Sequence, residues 1–123
     1  MAKTKNGLKE RLDRYREIEI TVIGRKSGKE ISIPVWFVLK GDKLHLLPVQ
    51  GSETQWFKNV LKNPRIRISA RGEEAEFRAK VLTDSKSVDS VVEEFRAKYG
   101  AGDVKKYYSK FDVAVLLELG EKA

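Results

Sequence analysis

The sequence predicts a mainly β protein with two or three peripheral helices, in which six antiparallel strands form a closed or half-closed barrel. Short stretches of alternating apolar and polar residues are separated by turn residues, which predicts strands joined as hairpins. The longest stretch, EISIPVWFVLK, becomes apolar on both faces, as strands do inside a barrel. With 123 residues, the chain has the size of one domain, residues 1–123.

The first three strands come from EIEITVIG, EISIPVWFVLK and KLHLLPV. A turn at Gly41 and Asp42 separates the second strand from the third. Pro34 lies within the second strand and has no amide hydrogen, so we expect a bulge or a break in the ladder there. The first two strands are joined by a turn that is unusually rich in charge and glycine.

Two helices are predicted between the later strands. Ser52 and Gln55 have the spacing of a capping box at the start of the first helix. Its predicted buried stripe consists of Phe57, Val60 and Leu61. RIRISAR and AEFRAKVL then form the fourth and fifth strands around a GEE turn.

The second helix begins after Thr83 or Asp84, either of which can cap it, and ends at Gly100. Its apolar residues follow the helical period: Val88, Val91, Val92, Phe95 and Tyr99. AGDVKKYYSK is a loop or a short helix, and FDVAVLLEL is the sixth strand.

The formal net charge is +7, and it is unevenly distributed. Residues 1–16 contain six Lys or Arg and only two acidic residues, and we expect this basic segment to be a surface helix or mobile. A second concentration of positive charge lies at the turn after the first strand. Such a distribution attracts anions, among them nucleic acid and phosphorylated small molecules.

Composition excludes several kinds of site. There is no cysteine and a single histidine, His45, so no disulfide, catalytic thiol, metal site or two-histidine site is expected. His45 is interpreted as an outward-facing strand residue. No apolar run approaches the length of a membrane span and no secretory signal is visible, so the expected location is the cytoplasm.

The turn GRKSGK, Gly24–Lys29, has the composition of a phosphate site and is called the hairpin tip below. Glycines let a ligand approach the main chain, and consecutive free amides form an anion nest. Arg25 offers a planar fork, Lys26 a point charge and Ser27 a hydroxyl donor. The alternative is a solvated hairpin end, where glycine and charge are common.

A second element lies downstream, in QWFKNVLKNP. Trp56 and Asn59 are three residues apart and therefore share one helix face. An indole beside an amide suits the wall of a planar heterocycle. The alternative is that Trp56 simply packs in the core.

Together, the segments TVIGRKSGK and QWFKNVLKNP, in this order and separation, resemble the deazaflavin-dependent nitroreductase family. The resemblance covers roughly residues 18–82. It implies the split β-barrel of flavin reductases and pyridoxamine-phosphate oxidases, also described as the FMN-binding split barrel. It implies as cofactor the 5-deazaflavin coenzyme F420, with FMN as the alternative found in some relatives.

The resemblance also implies roles for residues. Arg25, Lys26 and Ser27, with Gly28 in the same turn, would hold the cofactor phosphate, and Lys29 would lie near its tail. The ring system would be flanked by Pro34, Gln55, Trp56 and Asn59. A second binding stretch would contain Leu47, Val49, Gln50 and Gly51. Members of the family often have Ser-Lys-Gly where this chain has Val49-Gln50-Gly51. The hydroxyl and the cation of that stretch are therefore missing here, and both F420 and FMN are kept as candidate cofactors.

The implied function is transfer of a hydride from reduced F420 to a small apolar acceptor of the quinone or nitro type. Tyr107 and Tyr108 are the candidate catalytic residues, since a phenol can orient the acceptor or supply a proton. The alternatives are an FMN-dependent reductase and a flavin-binding protein without turnover. A homodimer is compatible with this fold.

The rival class is a small basic β-barrel that binds nucleic acid, with Trp36, Phe37 or Trp56 as stacking platforms. Trp36 and Phe37 lie in the most apolar strand and are expected to be buried. Acidic residues also alternate with basic ones after residue 16. We therefore expect no nucleic-acid partner.

Overall fold

The computed structural model describes residues 15–70 and 72–119. The predicted basic segment at residues 1–16 lies almost entirely outside these ranges. Within them the chain forms seven strands: β1 Glu17–Ile23, β2 Glu30–Lys40, β3 Lys43–Leu46, β4 Arg65–Ala70, β5 Glu73–Arg78, β6 Lys80–Leu82 and β7 Ala114–Glu118. The helices are α1 Gln55–Lys62, α2 Ser85–Tyr99 and α3 Ala101–Tyr107.

All seven strands belong to one antiparallel sheet with the order β5-β4-β1-β2-β3-β7-β6. The predicted fifth strand is divided in two, which is why seven strands are present where six were predicted. Only Ala79 separates β5 from β6, although these strands lie at opposite ends of the sheet order. The continuous chain through Ala79 therefore curls the sheet into a barrel, and the predicted fold class is confirmed.

Strand β2 belongs to both halves of the barrel. Its residues Glu30–Trp36 pair with β1, and from Phe37 onward it pairs with β3. The register continues through Pro34, which lies opposite Glu19, so the predicted bulge or break is absent. Among the described strands, the first half of β2 pairs with β1 alone, so its other side is an edge of the sheet. A proline is tolerated at such an edge because no partner strand requires its amide hydrogen.

Two apolar cores hold the barrel together. The first fills the barrel interior and includes Ile20, Phe37, Phe57, Ile66 and Leu117. The second lies where α2 and α3 cover the outer face of β2 and β7, and it is built on the five apolar residues that predicted α2. Asp84 accepts a hydrogen bond from the amide of Ser87 at 2.9 Å and is therefore the cap of α2.

Tyr99, at the end of α2, fixes the position where β2 changes partner. Its hydroxyl accepts from the Phe37 amide at 3.1 Å and lies 2.8 Å from the Phe37 carbonyl oxygen. The same hydroxyl lies 2.6 Å from the carbonyl oxygen of Arg16, just before β1. Tyr99 therefore joins three segments of backbone beside Trp36.

Among the described residues, no helix has the length and apolar character needed to cross a membrane.

Candidate functional site

The hairpin tip is a compact turn with its cations on the outside. Gly28 donates from its amide to the carbonyl of Gly24 at 2.9 Å, and the amide of Gly24 donates to Lys29 at 2.8 Å. Gly28 has a φ of 72°, which favours glycine. Lys26 and Lys29 are exposed, as is Ser27. Within the described residues, the backbone amides of Lys26 and Ser27 donate to no protein acceptor.

Gly24 is required for a different reason, namely close packing. A Cβ at this position would lie 2.7 Å from the Ser27 hydroxyl oxygen and 3.2 Å from Ile31 Cδ1. The Ser27 hydroxyl meanwhile accepts from the Lys29 amide at 3.1 Å. The hydroxyl thus shapes the turn in this state, and its proton remains available for a ligand.

Arg25 connects the hairpin tip to α1. Its guanidinium donates to Asn59 Oδ1 and to Gln55 Oε1, both at 2.8 Å. Its backbone amide also donates to Asn59 Oδ1, at 3.1 Å. The two sequence elements that carried the resemblance are therefore in direct contact. Three further guanidinium N–H groups remain for an anion, since arginine carries five.

Helix α1 turns a different face to the core than predicted. Its buried residues are Trp56, Phe57, Asn59 and Val60, whereas Leu61 is 58% exposed. Trp56 and Asn59 are each only 5% exposed. The proposed capping box is also absent: Thr54 occupies the N-cap, and Ser52 lies in a short 3-10 turn that precedes the helix. Because this face of α1 is turned inward, the side-chain amide of Asn59, which accepts from Arg25, is buried.

An apolar cavity of about 350 Å³ lies beside Trp56. It is lined by residues of β1, β2, α1, the loop after β3 and the end of α3: Glu17, Ile33, Pro34, Val35, Trp36, Leu47, Val49, Trp56, Tyr107 and Tyr108. Pro34, Val49, Trp56, Tyr107 and Tyr108 were predicted site residues. Val49 and Tyr107 are 42% and 53% exposed, which is unusual for large apolar side chains and places apolar surface at the cavity mouth.

Trp36 lines the cavity, whereas the sequence analysis considered it only as a stacking platform for nucleic acid. It is half-buried rather than buried as predicted, and its ring stacks on Tyr99 with centroids 4.3 Å apart and planes at 9°. Tyr107 meets the same indole edge-on at 5.6 Å, and Tyr108 lies at 6.0 Å. Trp36 is the last residue of β2 that pairs with β1, and this position exposes part of its ring to the cavity. The position can be recognised only from the pairing of the strands.

The loop that contains Val49, Gln50 and Gly51 is held against the segment after α3. The amide of Ser109 donates to the Val49 carbonyl at 2.8 Å, and Gln50 forms a β-bridge with Lys110. Gln50 itself is exposed, and its amide donates to Thr54 Oγ1 at 2.8 Å. Of this stretch only Val49 lines the cavity; Gln50 and Gly51 support the loop behind it.

Asp112 completes this contact and was missed by the sequence analysis. One carboxylate oxygen accepts from the Ser52 amide at 2.9 Å and the other from the Ser52 hydroxyl at 2.5 Å. Gly51 has a φ of 55°, and a Cβ there would lie 2.1 Å from Asp112 Oδ1. Gly51 is thus needed for both its conformation and its lack of a side chain.

The phenols of the second core are strongly perturbed. Burial raises the pKa of Tyr99 to about 12, although its hydrogen bond to Phe37 opposes this. Burial also raises the pKa of Tyr108, and the neighbouring Tyr99 phenol acts in the same direction. Tyr108 is therefore a neutral donor at neutral pH, and its hydroxyl has no hydrogen-bond partner among the described residues.

His45 lies outside the cavity, on the outer face of β3 under α2. Its Nδ1 is 3.0 Å from Glu94 Oε1, and burial lowers the pKa of the imidazole despite this carboxylate. The outward-facing position predicted for this residue is observed, but the side chain is covered by the helix. As the only histidine of the chain, it leaves the cavity without an imidazole.

The predicted site residues thus form two neighbouring groups. Arg25, Gln55 and Asn59 join the hairpin tip to α1, and Trp56, the next residue after Gln55, begins the apolar cavity. Ile33 and Pro34 of β2 form the wall of the same cavity, and Ile31, which is exposed, lies between them and the hairpin tip. The hairpin tip and the cavity are therefore joined through two successive residues of α1, Gln55 and Trp56.

A curled antiparallel sheet closed through a bent strand, with helices on its outer face, gives this protein a split β-barrel fold. The chain belongs to the family DUF2255, "Uncharacterized protein conserved in bacteria", which matches residues 9–116. Among curated proteins, no sequence matches this chain significantly. Membership of the deazaflavin-dependent nitroreductases stays a prediction.

Solved structures of low sequence identity share the fold. An F420-H2 dependent reductase, FDR-A, has a TM-score of 0.65 at 18% identity and covers 84% of this chain and 94% of its own. HutZ, described as the heme storage protein from Vibrio cholerae, has a TM-score of 0.70 at 14% identity, covering 96% and 90%. A putative pyridoxamine 5'-phosphate oxidase from Listeria innocua has a TM-score of 0.66 at 14% identity, covering 92% and 90%.

Proposed function

We propose that this protein is an oxidoreductase that binds coenzyme F420 and transfers a hydride from its reduced form to a quinone- or nitro-type acceptor. The observation that carries the proposal is the junction at α1. Gln55 and Asn59 bind Arg25 of the hairpin tip, while Trp56, between them in the sequence, lines the apolar cavity. A cofactor with a phosphate on one end and a flat ring on the other matches this arrangement.

The residues of the hairpin tip fit a phosphate. Lys26 and Lys29 are exposed cations on one turn, and the amides of Lys26 and Ser27 are free of acceptors within the described residues. Arg25 is already oriented by two amide side chains, so little conformational entropy is lost when its remaining N–H groups bind an anion. These groups supply charge-assisted hydrogen bonds to phosphate oxygens.

The cavity fits a ring system. Its volume of about 350 Å³ is at the lower end for small-molecule sites, which suits a tricyclic ring and leaves the phosphate and tail outside, toward the hairpin tip. The walls are an indole on α1, a proline on β2 and the Trp36–Tyr107 pair. When bound, the cofactor supplies the hydride chemistry, while the protein supplies orientation and a water-poor surface.

Tyr108 is the proposed proton source. Its phenol is held neutral by burial, lines the cavity and has no partner within the described residues. It can therefore donate a hydrogen bond to a carbonyl or nitro oxygen of the acceptor. Tyr107 is more exposed and packs edge-on against Trp36, so its proposed role is to position the acceptor.

FMN is the second candidate cofactor, and the split-barrel pyridoxamine-phosphate oxidase-like structure supports it as an analogy. A haem ligated by histidine gains no support, because His45 lies under α2. Binding of nucleic acid gains little, because Phe37 and Trp56 are buried and Trp36 is stacked on Tyr99.

An anaerobic assay tests the proposed activity. Purified protein is mixed with reduced F420 and 2-methyl-1,4-naphthoquinone, and the return of the oxidised deazaflavin fluorescence is followed. We expect oxidation well above the protein-free rate, and no acceleration when heat-inactivated protein of the same preparation replaces the native protein. Turnover with reduced FMN alone would favour the FMN-dependent alternative, and binding without any turnover would favour the non-catalytic one.

A further inference from the structure

The cavity contains one charge, and that charge is negative. Among the described residues that line it, Glu17 is the one acidic or basic residue and is exposed, and the remaining nine are apolar or aromatic. Glu17 lies directly opposite Trp36 in the β1–β2 register, which places its side chain at the aromatic wall. This is unexpected in a chain of net charge +7.

Cations already lie over two tyrosine rings at this place: Tyr107, which lines the cavity, and Tyr99, which stacks on Trp36. The guanidinium of Arg16 lies 5.0 Å from the Tyr99 ring centroid, and Lys106 Nζ lies 5.2 Å from that of Tyr107. These distances are within the range of cation–π attraction. The electron-rich ring faces that favour these cations also belong to Trp36 and Trp56, whose rings border the cavity itself.

We infer that the cavity bounded by Trp36, Trp56 and Tyr107 is a binding site for a small organic cation with an aromatic body, whose positive charge is paired with Glu17. Indole and phenol faces together with one carboxylate are the chemistry that recognises alkylated ammonium and aromatic cations. No lysine or arginine is among the described residues that line the cavity, so the charge of the ligand meets no cation in direct contact there.

This inference does not rest on the proposed function, because the preference for a cation is a property of the cavity before any cofactor binds. An organic cation in the cavity would compete there with the deazaflavin ring of the proposed function. The hairpin tip, which is basic, would exclude such a molecule and direct it to the cavity.

A matched pair of probes tests the inference without any cofactor. (4-Hydroxyphenyl)trimethylammonium and 4-tert-butylphenol have nearly the same shape and differ in charge. Calorimetric titration of the wild-type protein is expected to show binding of the cation at least about 10-fold tighter than that of the neutral phenol. The indole N–H resonances of Trp36 and Trp56 should both shift, because both rings line the cavity. They are the only two tryptophans of the chain, so no other indole signal is expected.

Glu17→Gln is expected to remove most of this preference, leaving the affinity for 4-tert-butylphenol unchanged. Glu19→Gln is the control, since it removes an equal charge from the next outward position of β1 and does not line the cavity. Equal binding of the two probes, an unchanged preference in Glu17→Gln, or no binding of either probe at millimolar concentration would overturn the inference. Cation binding by a protein that fails to bind F420 would instead overturn the proposed function and leave this site in place.

Discussion

Asn59 Oδ1 accepts two hydrogen bonds from Arg25, one from the backbone amide at 3.1 Å and one from the guanidinium at 2.8 Å. One buried amide oxygen therefore fixes both the main chain and the side chain of the hairpin tip. Gln55 accepts from the same guanidinium at 2.8 Å, but it is exposed. Helix α1 cannot shift without moving the turn that we propose for phosphate binding.

Asn59→Ala is expected to destabilise the protein by about 1–3 kcal/mol, because it leaves two donors of Arg25 without their acceptor in a partly buried place. Gln55→Ala is the matched comparison and should cost less than about 1 kcal/mol, since water can replace an exposed partner. Urea denaturation followed by tryptophan fluorescence measures both. A larger loss for Gln55→Ala than for Asn59→Ala would show that the buried oxygen is not the important one.

Gly51→Ala is expected to cost more than Gly41→Ala, although both glycines have positive φ angles, of 55° and 62°. At Gly41 nothing lies within 4 Å of an added Cβ, so only the backbone strain of about 1–2 kcal/mol applies. At Gly51 the added carbon meets Asp112 Oδ1 at 2.1 Å, and the loop that carries Val49 must move.

A double-mutant cycle isolates this clash. In an Asp112→Ala background, Gly51→Ala should cost clearly less than in the wild type, because the closest contact has been removed and only Lys110 Cγ, at 3.0 Å, remains. Equilibrium denaturation of the four variants is the measurement. If Gly51→Ala is as costly without Asp112 as with it, the contact between these two residues does not determine the conformation of the loop.

Stability is expected to fall at alkaline pH through Tyr99. Its folded-state pKa of about 12 is above the ordinary value of 10.0. The neutral phenol therefore contributes at most about 2–3 kcal/mol to the free energy of unfolding. This contribution is fully present below about pH 10 and is lost as the pH rises toward 12. Spectrophotometric titration at 295 nm, with Tyr99→Phe as reference, locates this ionisation. A midpoint near 10 for the Tyr99 step would contradict the burial of its hydroxyl.

Tyr108→Phe is expected to lower turnover with a quinone acceptor by about 10- to 100-fold while leaving cofactor affinity within about twofold, because the variant removes only the proton donor. Tyr107→Phe keeps the edge-on contact with Trp36 and should reduce turnover by less than about threefold. The two kcat values are measured by stopped-flow absorbance. Equal kcat values for wild type and Tyr108→Phe would remove this phenol from the mechanism.

Much of the fold follows from local patterns. The alternating stretches and the period of α2 predict their elements correctly because each pattern matches the face that the element buries. The division between β5 and β6 at Ala79 was not predictable, because AEFRAKVL is continuous in sequence and the bend arises only when its two halves pair with β4 and β7. The buried face of α1 was misjudged since Leu61 is more apolar than Asn59.

The site was predictable in part. Composition singles out the hairpin tip, and spacing singles out Trp56 and Asn59, but their contact depends on the closed barrel. Trp36 was considered only as a stacking platform for nucleic acid, and Asp112 was missed, because their roles depend on partners distant in sequence, Tyr99 and Ser52. Pattern analysis sees one element at a time, whereas these contacts join elements across the fold.

The central claim, that one ligand binds both the hairpin tip and the cavity, is tested most directly by titration of F420 into three variants and the wild type. We expect a Kd below about 100 µM for wild type. Lys26→Gln with Lys29→Gln should weaken binding by about 10- to 100-fold through lost phosphate contacts, and Trp36→Leu should do so through lost stacking. Lys86→Gln with Lys105→Gln removes the same charge elsewhere and should stay within about twofold. No binding to wild type, or equal affinities for the two double lysine variants, would contradict the account.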